Sequence, residues 1–486
     1  MHRRHFIKSL GALAVSGTAL QSSFAAGAPA ATSIAEQLAA YTAALRYEDL
    51  DEQTIEAVRT HLADALGCGV AALGEGPVTI ARKVALAGAG DAAGSTVLGT
   101  SRRTSPDLAT FANGAAIRYY DLNDVYAGKE IGHPSDNVSA CLAQAEAEHA
   151  NGRDLILAIV IAYEIDCRLM DAASLSSRGW DHPIYSLPAA ALGAGKLMKL
   201  SAAQLAQAVS LAINGHLALN QTRVQTMSNW KGLADADAAR NGVFSAALAR
   251  EGLTGPAPIF EGDAGFFKQV SGPFTIDTST FGGRGRPFRI NDCSVKFYPS
   301  QALTQTAIAA GIDVAKQVGN LSRVTNVEIR TSHEGYFSAG MDPQKWTPDT
   351  SETADHSLPY VTARAMFDGD ISHASFSDKA LHDPAIRAFM QKIKVVEDPV
   401  LTKLYPKYYA TIVTATCDDG RTFTRRVDDI PGFATRPMQR HDFELKFRKN
   451  VASRIGDART QEALQMFWTL EKQGNISQLF TPFAVL

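Results

Sequence analysis

Between residues 33 and 255 the apolar side chains recur every three or four positions, which is the spacing of one face of an α-helix. Ile55, Val58, Leu62 and Leu66 are the first clear example. The same spacing is found in segments 140–150, 154–172, 188–199 and 202–214. Residues 255–292 are rich in Gly, Pro and Phe, which indicates an irregular connection. We therefore predict a helical domain over residues 34–292.

The pattern changes after residue 292. Residues 324–331 alternate as VTNVEIRT, which is typical of a half-buried β-strand. Segments 408–416 and 422–427 flank Asp418-Asp419-Gly420, a turn sequence that predicts a hairpin. Helical spacing in 303–316 and 383–392 separates these strands, so we expect an α+β domain over residues 293–440. Helical spacing returns in 444–473, and we expect residues 441–486 to pack back on the helical domain and complete it.

Residues 1–30 have the order of a targeting segment. The stretch HRRHFIK (2–8) contains a twin arginine, an apolar run covers 10–20, and a cleavage candidate, Ser23-Phe24-Ala25, follows with small residues on both sides of the phenylalanine. This order is typical of export by the Tat route. The apolar run is too short to cross the roughly 30 Å of a bilayer core. We therefore predict a periplasmic protein and leave residues 1–30 out of the fold.

Composition excludes several classes of protein. The 486 residues are 45% hydrophobic and 20% charged, as in soluble globular proteins, and the formal net charge is −3. A basic surface for nucleic acid is therefore not expected, nor is a membrane partner. The five cysteines are scattered and never paired as CxxC, so we interpret them as buried small side chains. The sequence also has no P-loop, HExxH or GxSxG motif.

Short polar segments contain the residues that could perform chemistry. They hold Arg118 and Asp121, His133, His182, Lys231, Lys296, and His356 beside Asp355. Taken singly, each of these residues is more typical of a structural role. A histidine beside proline is commonly part of a turn, and a lysine beside an aromatic ring commonly lies at the surface. Together they combine imidazoles, which suit acid and base roles near neutral pH, with several cations. Such cations would stabilise the enolate-like transition state formed when a proton is removed beside a carboxylate. We therefore expect a small di- or tricarboxylate as substrate.

These segments resemble the MmgE/PrpD family in order and in residues, from about residue 34 to 440. The resembling stretches are NGAAIRYYDLNDVY (113–126), GKEIGHPSDN (128–137), RGWDHPIY (178–185), NWKGLADADAARNGVF (229–244), GLTGPAPIFEGDAGF (252–266), VKFYPSQALTQTA (295–307) and ETADHSLPYVTARAMFDG (352–369). GHPSDN and ETADHSLPY together in one chain are the most specific of them.

The resemblance implies a mainly α fold with a second α+β domain, in which both termini build the helical domain and the smaller domain forms a lid. It also implies a homodimer without metal or organic cofactor. The implied activity is a hydro-lyase that eliminates water from a 2-methylcitrate-like hydroxy polycarboxylate. Two alternatives stay open at this stage. One is decarboxylation or epimerisation of a related dicarboxylate, and the other is a periplasmic carboxylate-binding protein without catalysis.

We expect functional roles for nine residues, and the resemblance carries its active-site positions over to six of them: Asp121, His133, His182, Lys231, Lys296 and Tyr360. Catalytic roles fall on Asp121, His133, His182 and Tyr360. Substrate-binding roles fall on Arg118, Lys231, Lys296, Gln301 and His356. The chain departs from the family at Val125, where threonine is common, at Gln301, where a charged or imidazole group is common, and at Leu303, where a dehydratase has histidine. The binding-protein alternative depends on the last two departures.

Overall fold

The computed structural model describes residues 32–87, 94–433 and 435–485, so the twin-arginine segment lies outside the described residues. Helices dominate the chain before residue 255, as the spacing predicted. They are α1 (Ile34–Ala44), α2 (Glu52–Ala71), α3 (Gly76–Ala87), α4 (Pro106–Arg118), α5 (Val138–Ala147), α6 (Gly152–Ala172), α7 (Ser186–Leu197), α8 (Ala202–Gly215) and α9 (Ala234–Arg250). Capping boxes begin α1, α6 and α8, where Ser33, Asn151 and Ser201 bond reciprocally with the third helical residue.

Helices and strands alternate after residue 293. The helices are α10 (Gln305–Val318), α11 (His333–Ala339), α12 (Ser351–Ala354), α13 (Leu358–Asp368), α14 (Asp378–Leu381), α15 (Pro384–Met390), α16 (Pro399–Thr402) and α17 (Arg440–Trp468), the last with a kink at Gly456. The strands of the described residues are β1 (Ser95–Thr96), β2 (Arg103–Thr104), β3 (Asp124–Ala127), β4 (Ile131–Gly132), β5 (Ser294–Val295), β6 (Val324–Thr331), β7 (Ile393–Glu397), β8 (Thr411–Cys417) and β9 (Thr422–Val427). The fold is thus mainly α with an α+β part.

The largest sheet has the strand order β7-β6-β8-β9. Strand β6 has the bounds that its alternation predicted and pairs parallel with β7 and antiparallel with β8. Strands β8 and β9 form the expected hairpin, and Gly420 in its turn has φ 78°, a conformation that glycine adopts without strain.

Two hydrophobic cores support these elements. The first joins α1, α2 and α5–α9 and also takes Phe447, Val451 and Phe467 from α17 and Phe483 beyond it. The second packs α10, α13 and the large sheet, and includes Val125 from β3. All five cysteines are buried. Residues from Ser33 onward form a single compact unit, and the domain boundaries therefore stay a prediction. In the part of the chain described, no helix has the length and apolar character needed to cross a membrane.

A small sheet brings distant parts of the chain to one place. Its order is β4-β3-β5, and the antiparallel pairing of β3 with β5 sets Asp124 opposite Val295 and Val125 opposite Ser294. Lys296, the residue after β5, donates its backbone N–H to the carbonyl oxygen of Asn123 at 3.4 Å. Because of this pairing, Lys296 lies near the C-terminal end of α4.

Candidate active site

A buried carboxylate, Asp121, lies among three cationic side chains. Arg118, at the end of α4, and Lys296 both donate hydrogen bonds to its Oδ1 atom, and Lys231 Nζ lies 3.5 Å from Oδ2. All four side chains are at most 1% exposed. Burial opposes ionisation of Asp121, but the three positive charges outweigh it and hold its pKa well below the usual range. We call these four residues the Asp121 group.

The backbone at Asp121 makes the sharp turn that this arrangement needs. Asp121 has φ 51°, in the left-handed region that Asp and Asn adopt more readily than most residues, and its N–H donates to the carbonyl oxygen of Arg118 at 3.0 Å. The turn brings the Asp121 carboxylate back over the end of α4, where it meets the guanidinium of the residue three positions earlier.

His133 faces the Asp121 group as a neutral imidazole. Its Nδ1–H donates to the backbone carbonyl oxygen of Asp124 at 2.6 Å, which leaves Nε2 without a proton, 3.9 Å from Asp121 Oδ1. Burial and the nearby charges of Arg118 and Lys296 lower the pKa of His133 well below its ordinary value. An unprotonated, oriented Nε2 atom can act as a general base.

His182 has the opposite environment. Its Nδ1 lies 3.1 Å from Asp181 Oδ1 and its Nε2 lies 3.0 Å from Asp235 Oδ1. Arg223 bridges the two carboxylates at 3.0 and 2.9 Å. Burial alone would lower the pKa of His182, but the charges of Asp235 and Asp181 outweigh burial and raise it to about 9. We call His182, Asp181, Asp235 and Arg223 the Asp235 group; its histidine is an imidazolium at neutral pH.

The two groups touch. The ring centres of His133 and His182 are 5.5 Å apart, and Arg118 Nε lies 3.5 Å from Asp235 Oδ2. The contact between His182 Nε2 and Asp235 is an ion pair without the alignment of a hydrogen bond, so this N–H can still be donated to another acceptor. The cluster therefore places a neutral base and a cationic acid next to each other.

A third histidine completes the cluster. Asp355, between α12 and α13, contacts Lys231 Nζ at 2.8 Å through Oδ2 and bonds His356 Nδ1 through Oδ1. Burial raises the pKa of Asp355 to about 6, and burial together with Lys231 lowers the pKa of His356 well below its ordinary value. His356 Nε2 lies 3.7 Å from Asp121 Oδ2. The Asp355–His356 turn thus joins the Asp121 group from the second half of the chain.

The structure brings together most of the nine residues that the sequence indicated. Those in the cluster are Arg118, Asp121, His133, His182, Lys231, Lys296 and His356. Tyr360 does not join them, because it lies in the first turn of α13, packs in the second core and donates its hydroxyl to the carbonyl oxygen of Ser375 at 2.6 Å. The catalytic role expected for Tyr360 therefore has no geometric support.

Gln301 is a neighbour of the cluster rather than a member. Its backbone N–H donates to the carbonyl oxygen of Asp355 at 3.0 Å, and its side-chain Nε2 donates to Ser338 Oγ at 3.1 Å. Leu303 and Val125, the two other departures from the family, are apolar side chains of the second core.

Several charged residues in or beside the cluster escaped the sequence analysis. Asp235 stands four residues after Lys231 in the first turn of α9, where a carboxylate commonly serves the helix N-terminus. Arg223 lies in an irregular segment whose pattern gave no signal. Lys345 is 1% exposed. The sequence did not indicate this burial, because a lysine beside a tryptophan, here Trp346, is typical of the surface.

The arrangement suits an anion better than a metal ion. Among the residues described, the ligand atoms of Asp121, Asp355 and His356 lie within 4.8 Å of one another. A dication there would lie beside Lys231, Lys296 and Arg118, which contact the same carboxylates, and their repulsion opposes its binding. Carboxylates of a substrate would be attracted to the same place.

A cavity of about 320 Å³ leads from the surface to this cluster. Asp355 is the cluster residue on its wall, and the other lining residues include Tyr119, Tyr120, Ser351, Glu352 and His373. This volume is in the range of small-molecule sites.

Comparisons with known proteins show what the whole chain is similar to. Residues 36–279 match the MmgE/PrpD N-terminal domain, and residues 298–472 match the MmgE/PrpD C-terminal domain. The chain is 27% identical over 453 residues to a 2-methylcitrate dehydratase of Cupriavidus necator, covering 86% of this chain and 90% of that protein. It is 25% identical over 455 residues to a 2-methylcitrate dehydratase of Escherichia coli K12, covering 87% and 91%. It is also 25% identical over 465 residues to a human cis-aconitate decarboxylase, covering 92% and 94%.

Proposed function

The chain belongs to the MmgE/PrpD family, and from this premise we propose that it is a cofactor-independent lyase that eliminates water from a 2-methylcitrate-like hydroxy polycarboxylate. The main support for the proposal is the pair His133 and His182. Their ring centres are 5.5 Å apart, and their pKa values are shifted in opposite directions. Elimination of water needs a base at one carbon and an acid at the leaving oxygen, and the pair supplies one of each.

In the proposed reaction His133 Nε2 takes a proton from the carbon beside a substrate carboxylate. The electron pair of that C–H bond forms the carbon–carbon double bond, and the C–O bond to the hydroxyl group breaks. The leaving oxygen receives the Nε2 proton of His182 and departs as water. Arg118, Lys231 and Lys296 stabilise the negative charge that develops on the carboxylate, and Asp121 holds the two lysines in place.

The test is turnover of 2-methylcitrate by the purified protein, followed by the ultraviolet absorbance of the enoate product. We expect product with the wild type and with the surface variant His382→Asn, and about 10²- to 10⁴-fold slower turnover with His133→Asn. An inert wild type, with a panel of citrate analogues also inert, would refute the hydro-lyase. Carboxylate binding without turnover would support the non-catalytic alternative instead.

Decarboxylation is the second candidate reaction. It is favoured by the similarity to human cis-aconitate decarboxylase, which covers at least as much of the chain as the dehydratases do. In this reaction a C–C bond breaks, carbon dioxide leaves, and the acid His182 protonates the resulting carbanion. Release of carbon dioxide without loss of water would identify it, and exchange of solvent deuterium without either product would indicate epimerisation.

The domain arrangement belongs to the same proposal. We propose a helical domain over residues 34–292, completed by 441–486, with residues 293–440 as a lid over the cluster. The packing of Phe447 and Phe467 in the first core supports it. Limited proteolysis with and without a bound carboxylate would test it, because a lid that closes on the ligand should protect the connection at 255–292.

We also propose that the protein is a homodimer. Large apolar side chains are exposed on the segment that precedes Lys231, among them Leu217, Leu219, Val224 and Trp230. Such a surface is typical of an interface. Light scattering should give twice the chain mass, and Leu219→Lys should reduce it; a monomeric wild type would contradict the proposal.

Export by the Tat route is proposed from the twin arginine. Cell fractionation should find the protein in the periplasm, and the double variant Arg3→Lys, Arg4→Lys should remain in the cytoplasm. Equal export of both proteins would refute this route.

A further inference from the structure

One buried cation beside the cluster, Lys345, has no carboxylate partner of its own. Lys231 contacts Asp355, while Lys296 and Arg118 contact Asp121. Lys345 is as deeply buried as they are, at 1% exposure, yet its Nζ has no hydrogen-bond acceptor and no carboxylate within 4.0 Å among the described residues. A buried ammonium group without a partner is strongly unfavourable, and a long lysine side chain normally avoids this by reaching water.

The fold holds Lys345 against the cluster. It lies in the turn Pro343–Trp346, which begins with Asp342 accepting the N–H of Gln344 at 3.3 Å. The carbonyl oxygen of Lys345 accepts a hydrogen bond from the Ser357 hydroxyl. Because Ser357 directly follows His356, this bond ties the lysine to the Asp355–His356 turn. The positive charge of Lys345 acts on both Asp355 and His356.

A second unpartnered atom lies beside the same turn. Gln301 Oε1 is buried without a hydrogen-bond donor, while the backbone N–H of Gln301 bonds the carbonyl oxygen of Asp355. A cationic donor and a neutral acceptor that both lack partners match a ligand with a carboxylate and a hydroxyl group.

We infer that Lys345 binds a carboxylate of the substrate that Lys231 and Lys296 do not bind, and that it selects tricarboxylates over dicarboxylates. The inference rests on the proposed function for the identity of the site. Its chemistry is that of a charge-assisted hydrogen bond between an ammonium group and a carboxylate in a place that excludes water. Burial lowers the pKa of Lys345 to about 8, which leaves most molecules protonated at pH 7 and able to form this bond.

The test measures binding rather than turnover, with two probes that cannot lose water. Tricarballylate has three carboxylates and no hydroxyl group, and glutarate has the same chain without the central carboxylate. Calorimetry should show the wild type binding tricarballylate roughly 10- to 100-fold more tightly than glutarate. Lys345→Met should remove this preference and leave glutarate affinity within about threefold. Lys345→Arg should retain part of the preference, and the exposed variant Lys316→Met should retain all of it.

Thermal unfolding separates this role from a structural one. Because Lys345 is unpaired, Lys345→Met should not lower the melting temperature of the ligand-free protein. A lower melting temperature, failure of Lys345→Met to fold, or an equal loss of affinity for both probes would each overturn the inference, as would a wild type that does not prefer tricarballylate. A Lys345-dependent preference in a protein that turns over no carboxylate would sustain the inference and refute the proposed lyase.

Discussion

In the Asp121 group three cations share one carboxylate, whereas in the Asp235 group two carboxylates share one guanidinium. The two groups lie side by side; the Asp121 group is at most 1% exposed and faces His133, whereas the Asp235 group contains His182 and is slightly more open, with His182 and Arg223 at 11% and 13% exposure. Burial lowers the pKa of His133 and the positive charges of Arg118 and Lys296 lower it further, whereas at His182 the negative charges of Asp235 and Asp181 outweigh burial and keep the ring protonated. Burial alone would disfavour the charged form of both rings. The comparison shows that the local ratio of charges decides which histidine is the acid and which is the base.

Asp121→Asn should have the largest effect. Asparagine keeps the left-handed backbone and the shape of the side chain, but it removes the one carboxylate that all three buried cations contact and leaves them to Asp355, Asp235 and Asp136. We expect the free energy of unfolding to fall by about 3–5 kcal/mol, with turnover lost. Chemical denaturation measures the first effect. Asp378→Asn, at an exposed carboxylate, is the matched control and should change neither.

Replacing each histidine by asparagine should distinguish the two groups. His133→Asn removes a neutral base, so we expect kcat to fall about 10²- to 10⁴-fold with little change in stability. His182→Asn removes a cation between two carboxylates, so we expect stability to fall as well. Denaturation curves and initial rates of both variants check this. Equal stability losses in the two variants would show that their charge states do not differ.

Asp235→Asn should lower the pKa of His182. The negative charge of Asp235 is the largest influence that raises the pKa of His182. Replacing this carboxylate by a neutral amide should therefore bring the pKa of His182 from about 9 toward the ordinary 6.5. NMR titration of the labelled histidine ring measures this shift directly. The alkaline limb of the rate profile should move to lower pH with it, since the acid is then lost earlier. An unshifted His182 resonance would contradict the charge argument.

The same shift sets the sign of a pH dependence of stability. The pKa of His182 is higher in the folded protein than in the unfolded chain. Its stabilising contribution is therefore complete below pH 6.5 and is lost as the pH rises through about 9. In the wild type the free energy of unfolding should decrease over this interval, and in Asp235→Asn this decrease should be smaller. Denaturation at pH 6, 8 and 9.5 compares the two proteins.

Local patterns in the sequence predicted the long elements. The spacing of apolar residues predicted α5–α8, and alternation predicted β6, because each pattern lies within one continuous segment. The pairing of β3 with β5 had no such signal. Only two residue pairs form it, at positions about 170 residues apart, and neither strand is long enough to show alternation.

The sequence predicted those residues of the candidate site that have an ionisable side chain and lie in a polar segment resembling the family. His133, His182 and Lys296 stand in polar segments that the family resemblance also marks. Tyr360 stands in such a segment too, but its position in α13 directs the hydroxyl to Ser375. Which carboxylate would pair with His182 depends on the packing of α9 against the turn at 182–185, and the sequence contains no pattern for that contact.

Val125→Thr should have the smallest effect and shows how far the cluster extends. Val125 lies in β3 next to Asp124, whose carbonyl oxygen holds His133, but its side chain packs in the second core. Threonine keeps the branched shape and adds a hydroxyl group, which should cost about 1–2 kcal/mol of stability. No ionisable group changes, so both histidine pKa values and kcat/KM should stay within about threefold of the wild type. Val327→Thr, in the same core on β6, should cost a similar amount. If Val125→Thr changes KM more than tenfold and Val327→Thr does not, the substrate contacts β3. The substrate site would then extend beyond the Asp121 and Asp235 groups.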